Sequence, residues 1–328
     1  MNIAILMSVG CQNLGDELIL KNEIELLREK YNSNFINFKV FTYDTENLFF
    51  EDSFVEYREY FPIGIKNPRN ILRNIKNFIT FSKIIKSSDK VVIGGGGIIY
   101  DLEIQSVGNP LAQWLFRVKM AEYYKKDIIF FGVSIEVAQD SKNLELVKQI
   151  FSPAKEIYVR NKYSFELLKS IGIKSEIIAD PVFSDNGKKE KFKPPLLKLE
   201  ASNFEIEKFK QIDFAGKKVG LAFRSGKMEN ELDKINSLID FIISSGGEVI
   251  LLPHSFHETD ILANDYEFLK QFLREKVSIT NSMQETYEVY KKNLIDLCIS
   301  MRLHSMILSQ VYDIDFISIS YSQKTSEF

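Results

Sequence analysis

The chain has 328 residues, 45% of them hydrophobic, which is long for one compact domain and ample for two cores. Its formal net charge of −3 provides no general basic field, so nucleic acid is not expected as a partner and any anion must be held by local cations. The two cysteines lack metal-type spacing and are expected to be reduced, mostly buried thiols of a cytoplasmic protein, and no stretch reaches the roughly 20 apolar residues that cross a bilayer.

In chain order, short apolar runs alternate with longer amphipathic ones, the pattern of strand–helix–strand units around a parallel sheet. "NIAILMSV", "FKVFTY", "DKVVIGG", "KDIIFFGV", "EIYVR" and "SEIIAD" are the expected strands of a first domain, residues 1–185. Residues 186–212 are lysine-rich and carry Pro194–Pro195, which reads as a linker rather than a core element. A second series, "KKVGLAF", "GEVILLP", "KVSIT", "IDLCIS" and "DFISISY", fills a second domain, 213–328. The expectation is an α/β protein of two Rossmann-like, doubly wound domains, with the ligand in the cleft between them, because open parallel sheets bind at the carboxyl ends of their strands.

The motifs sit at those ends. "VGCQNLGDELIL" follows the first strand: Asp16 and Glu17 suit the positive end of a helix, while Asn13 and Asp16 are candidates for bonding ligand hydroxyls. In "VVIGGGGIIYD", Gly94 to Gly97 would let a ligand approach the main chain and leave N–H groups for an anion, with Gly95, Gly96 and Gly97 as the contacts. Neither a dinucleotide fingerprint nor a P-loop lysine is present. Arg160 closes "EIYVR", with Asn161 or Ser164 able to cap the helix that follows. Arg302 closes the comparable strand of the second half, His304 stands two residues on, and Lys324 adds a cation after the last strand. Such a set could hold a carboxylate and a phosphate, and His304 is the member whose charge changes near neutral pH. In "LLPHSFHETD", His254 and His257 lack a third ligand at a recognised spacing, so a polar loop is expected rather than a metal site, with His254 reaching a ligand. Arg224, at another strand end, is a candidate for the acceptor side. No amphipathic membrane anchor is expected.

"NLGDELIL", "GGGGIIYD", "YVRNKYSFELL", "IADPVF", "MRLHSMILS" and "ISYSQK", in that order over nearly the whole chain, resemble the polysaccharide pyruvyl transferases. The resemblance implies a glycosyltransferase-B-like fold, phosphoenolpyruvate as donor, and a ketal-linked pyruvate on a sugar of a cell-surface polymer or its lipid-linked precursor. By position, Arg160, Arg302 and His304 match the family's donor-binding and catalytic residues, Lys324 a further cation, and Asp16 the acidic residue of the N-terminal loop. Under that resemblance His304 is the general acid or stabilises the departing phosphate, and Asp16 orients or deprotonates the acceptor hydroxyl. No metal, nucleotide or other cofactor is required. A lipid-linked acceptor would bring the protein to the inner face of the cell membrane.

The chain departs from the family at "GVSIEVAQD", where Glu136 and Val137 replace the glycine and proline of an expected turn, and at its end, Phe328, beyond which the family usually continues. Two other readings stand beside the transferase. A nucleotide-sugar glycosyltransferase would use the same cations on a diphosphate and an acidic ribose contact that is not identifiable. A degenerate member would bind an anionic glycan or metabolite without catalysis.

Overall fold

The computed structural model describes residues 1–61, 68–101, 110–138, 140–187, 193–201, 204–228, 231–258, 260 and 263–321. They divide into two units, one formed by Met1–Cys11 and Asp16–Pro181, the other by Gln12–Gly15 and Val182–Phe328.

In the first unit, four successive apolar residues, Ile3 to Leu6, are fully buried in β1 (Asn2–Leu6), as befits a strand covered on both faces. Helix α1 (Leu14–Lys30) follows, with Asp16 and Glu17 in its first turn. Then come β2 (Asn37–Thr42), β3 (Val55–Glu59), α2 (Ile71–Ser87), β4 (Lys90–Ile93), β5 (Gly96–Tyr100), α3 (Pro110–Tyr123), β6 (Asp127–Glu136), α4 (Ser141–Phe151), β7 (Glu156–Val159), α5 (Lys162–Ser170) and β8 (Glu176–Ile177). The strands pair in parallel in the order β3-β2-β1-β4-β6-β7-β8, with β5 added to β6. Outward growth from β1 in both directions is the doubly wound topology that the alternating pattern predicts.

The second unit contains β9 (Leu197–Glu200), β10 (Lys218–Ala222), α6 (Leu232–Ser244), β11 (Glu248–Leu251), α7 (Asp265–Leu269), β12 (Val277–Ile279), α8 (Met283–Lys291), β13 (Leu297–Ser300), α9 (Leu303–Val311) and β14 (Asp315–Ser320). Its sheet, again parallel, runs β12-β11-β10-β13-β14-β9. Each unit has its own core, Phe41, Phe81 and Phe130 in the first and Phe223, Ile239 and Ile299 in the second.

Three segments differ from the sequence expectation. Within the supposed linker, Leu197–Glu200 is a strand paired with β14, and Leu199, Phe204 and Phe209 are buried; flanking lysines and prolines mask this alternation. The glycine run is less a loop than a strand start, because Gly96 and Gly97 belong to β5. Finally, "GVSIE" is not a turn, since β6 continues to Glu136. Its register shifts between Phe130 and Val133, where Gly132 takes φ +67°, a bulge that Pro181 packs against. Among the described residues, no helix is long and apolar enough to cross a membrane.

Candidate functional site

The junction of β13 and α9 in the second unit is rigid for a local reason. Ser300 Oγ accepts from the Arg302 N–H at 2.9 Å and donates to the Arg302 carbonyl at 3.1 Å, while Ser305 to Val311 of α9 are all buried. Arg302, in extended backbone before the helix, donates through Nε to Asp265 Oδ2 at 2.8 Å and through Nη2 to Asp265 Oδ1. Asp265 is fully buried and also accepts the N–H groups of Ser225 at 3.1 Å and His254 at 3.2 Å. A two-point pair of this kind fixes the plane of the guanidinium as well as its position. Sequence reasoning missed Asp265: its only local signal is the Asn264 cap of α7, which reads as an ordinary helix start.

His304 lies in the first turn of α9 and faces Gly15, where a side-chain carbon would fall 2.0 Å from His304 Nδ1. Only glycine leaves that space. The segment holding Gly15 is itself stitched to the second unit: Leu14 N–H donates to the His254 carbonyl and Phe256 N–H to the Gln12 carbonyl, both at 2.9 Å, and Asn13 bridges Ser255. Asn13 was expected to meet a ligand hydroxyl, but its Oδ1 accepts from Gly15 N–H at 3.1 Å and so shapes the turn that presents Gly15 to the imidazole.

His254 is not on a polar loop surface. It is buried, at 2% exposure, with Nε2 3.0 Å from the Tyr290 hydroxyl, which in turn lies 2.7 Å from Ser305 Oγ. Burial, helped by the nearby Arg302 and His304, holds its pKa well below the ordinary 6.5, so His254 is neutral and supports the site through its bonds to Tyr290 and Asp265. Arg224 follows β10; its Nη1 donates to the Tyr321 hydroxyl at 2.6 Å and its guanidinium lies 5.3 Å from the centre of that ring. Lys324 lies outside the described residues.

In the first unit, Arg160 follows β7 and is also anchored by a buried aspartate. Nε donates to Ser134 Oγ at 2.8 Å and Nη1 to Asp180 Oδ2 at 2.6 Å, with both charged side chains nearly inaccessible. Asp180 comes from "IADPVF", a motif to which the sequence reading assigned no role. Asn161 caps α5, and Ser164 instead accepts the Ile135 N–H.

The glycine run does not offer all its N–H groups to an anion. Gly94 N–H donates to the Leu6 carbonyl at 3.0 Å and Gly95 N–H to Glu23 Oε2 at 3.3 Å, as the chain passes directly over α1. Glu23 is fully buried, which pushes its carboxyl up to about 8, and Glu17, bonded to Gly10 N–H at 2.8 Å, is pushed up by burial to about 7. Asp16, next to Glu17, lies close to Gly96, whose added side-chain carbon would meet Asp16 Oδ1 at 3.3 Å.

The second unit thus brings Arg302, His304 and His254 together with Gly15 and Asn13, whereas Tyr321 holds Arg224. In the first unit Asp16 adjoins Gly96, and Arg160 is engaged with Asp180. Among the described residues, no group of three His, Cys, Asp or Glu side chains is placed to hold a metal ion.

A family model described as polysaccharide pyruvyl transferase matches residues 13–323. No curated protein matches the chain. Similar solved structures include UDP-GlcNAc 2-epimerase from Methanocaldococcus jannaschii, with 12% identity and TM-score 0.55 over 100% of this chain and 87% of that one. A ugt transferase from Siraitia grosvenorii in complex with UDP shares 13% identity at TM-score 0.53, covering 98% and 82%. The S. aureus MnaA–UDP structure shares 10% identity at TM-score 0.53, covering 99% and 81%. The likeness is one of fold: two Rossmann-like units in a glycosyltransferase-B-like arrangement of strands.

Proposed function

The chain belongs to the polysaccharide pyruvyl transferase family, and from that premise we propose that it moves the enolpyruvyl group of phosphoenolpyruvate onto two hydroxyls of a sugar. The products are a pyruvate ketal and phosphate. The observation that carries this reading is the junction of β13 and α9, where a guanidinium oriented by a buried carboxylate stands two residues from an imidazole seated against a glycine.

Phosphoenolpyruvate joins a carboxylate and a phosphate on a three-carbon frame. A proton must reach its methylene carbon while one sugar oxygen attacks the central carbon. Phosphate then leaves with its bridging oxygen, and the second sugar oxygen takes its place. Of the two hydroxyl protons, one balances the new methyl group and the other goes to the departing phosphate. His304 is the group suited to deliver or steer that proton, and Arg302 to offset negative charge on the donor. Asp265 lowers the net charge of the pair, but it presents the guanidinium in one fixed plane, which favours a planar carboxylate or a phosphate edge. Asp16 is assigned to the acceptor hydroxyl. Arg160 and Lys324 are assigned to the donor, and Gly95, Gly96, Gly97, Asn13, Arg224 and His254 to the surrounding contacts, the last through its support of Arg302 and His304. The acceptor is a sugar of a cell-surface polymer or of its lipid-linked precursor, and the latter would place the enzyme at the inner membrane face.

Thermal unfolding with phosphoenolpyruvate and with UDP-sugars tests the donor. At 100 times the dissociation constant, phosphoenolpyruvate should stabilise the protein by about 2.7 kcal/mol, UDP-sugars should not, and Arg302→Ala should abolish the response. Incubation with a panel of sugars should then yield phosphate release and a mass gain of one pyruvate. Stabilisation by UDP-sugars instead would favour a nucleotide-sugar glycosyltransferase; stabilisation by neither would favour a non-catalytic member.

A further inference from the structure

Helix α2 presents an apolar face that the described residues of the first unit leave largely uncovered, Phe78 alone meeting a ring, that of Phe61. At 3.6 residues per turn, Asn77, Phe81 and Ile85 share one side and are buried, with the Phe81 ring 4.8 Å from that of Phe41. Moving around the helix from that side, Phe78, Ile71, Ile75, Ile79 and Leu72 follow one another over an arc of about 120°. All five are exposed, Leu72 at 81%, Ile71 at 57% and Ile75 at 53%. Between this strip and the return to the core come Lys83, Lys76, Arg69 and Arg73, and Lys86 stands within the strip at its C-terminal end. No aspartate or glutamate occurs from Pro68 to Ser88, in a chain whose net charge is −3. Arg73 is paired with Glu59, but Lys83 and Lys86 pair with no carboxylate among the described residues.

We propose that α2 is a docking element for an anionic lipid bilayer, lying in the plane of the interface with Leu72, Ile75 and Ile79 entering the headgroup–acyl boundary. Charge complementarity selects this occupant: apolar side chains flanked by lysines suit negatively charged headgroups over a hydrocarbon layer. A second copy of the chain on the same face would oppose cation to cation. Contiguous exposed apolar side chains rimmed by charged ones mark an interaction surface. Length and hydropathy point to no anchor here; the face emerges only once the fold shows which side of α2 is buried. The inference stands apart from the reaction, although a lipid-linked acceptor would be met at such a surface.

Flotation of the full chain with vesicles of phosphatidylcholine alone, or of phosphatidylcholine with phosphatidylglycerol, tests it. The unmodified protein should float with the anionic vesicles about tenfold better than with the neutral ones, and high salt should reduce that preference. The triple variant Leu72→Ser, Ile75→Ser, Ile79→Ser should lose about tenfold or more in partitioning, and Lys76→Glu, Lys83→Glu, Lys86→Glu should lose the anionic preference. Because these positions are exposed, both variants should keep the unfolding temperature and its response to phosphoenolpyruvate, which separates this test from that of the donor. The proposal is overturned if the unmodified protein floats with neither vesicle, or if all three proteins float equally. It is also overturned if the serine variant instead dissolves a concentration-dependent dimer.

Discussion

At the scale of single residues, the imidazole of His304 is positioned by an absence. Gly15→Ala would put a methyl carbon 2.0 Å from Nδ1, so the ring or the 12–15 turn must shift. A displacement of about 1 Å in a proton-transfer group costs on the order of 10²-fold in rate. Under the proposed reaction, Gly15→Ala should therefore lower kcat by about that factor, with little change in KM for the proposed donor, phosphoenolpyruvate; a loss confined to KM would place His304 in binding alone. Asp265→Asn argues the complementary case. It leaves Arg302 without its counter-charge and removes a carboxylate that four groups share, so it should destabilise the protein by about 3–5 kcal/mol in urea unfolding. The placement of Arg302 and His304 was legible in the sequence, because the apolar run that ends at Ser300 reads as a strand and the residues after it as a helix start. Asp265 and Gly15 were not, because their significance lies in what the fold carries to them. An aspartate in a short helix and a glycine after a strand look the same whether or not an arginine or a histidine packs on them. His254 failed for a related reason: a histidine in a loop reads as accessible, and only the Tyr290–Ser305 hydroxyls show that it is buried.

At the scale of elements, α1 carries two buried carboxyl groups whose charged form the fold disfavours, Glu23 bonded to Gly95 of the glycine run and Glu17 bonded to Gly10. Glu17 rises from 4.5 to about 7 and Glu23 from 4.5 to about 8, in both cases chiefly because burial disfavours the charged form. The unfolded chain ionises both near pH 4.5, so between there and pH 8 the folded state holds more protons, and stability falls as pH rises. The contribution is complete below pH 4.5, is lost through pH 7 for Glu17 and pH 8 for Glu23, and levels off above. Urea unfolding should show a decline of roughly 1.4 kcal/mol per pH unit for each excess proton. In Glu23→Gln, which keeps an oxygen for Gly95 N–H without a titrating proton, the decline should be shallower and confined below about pH 7. An unchanged slope would mean that Glu23 is not held neutral. The central strands were readable as unbroken apolar runs, whereas β3, β5 and β9 were not: β3 is a half-exposed edge strand of alternating charge, β5 opens on glycines, and β9 lies behind two prolines.

At the scale of the whole molecule, the chain passes between units three times, and its first visit to the second unit is only four residues long: Gln12–Gly15 belong with residues 182–328, although 1–11 and 16–181 form the other unit. Each unit has its own sheet and core, so local opening should follow the units rather than the order of the chain. Two amides distinguish the alternatives. Leu14 N–H is bonded to the His254 carbonyl in the second unit, and Gly94 N–H to the Leu6 carbonyl in the first. Ile299 is fully buried in β13, and Ile299→Ala should weaken the second core by about 2–5 kcal/mol. Hydrogen exchange should then speed up at Leu14 and across β10, β13 and β14, while Gly94 keeps its protection. Because Leu14 opens α1 directly before Gly15, loss of its protection would also free the glycine that backs His304. Lesions in the second core should therefore impair catalysis before they unfold the first sheet, and equal loss of protection at Leu14 and Gly94 would instead make the chain one cooperative body.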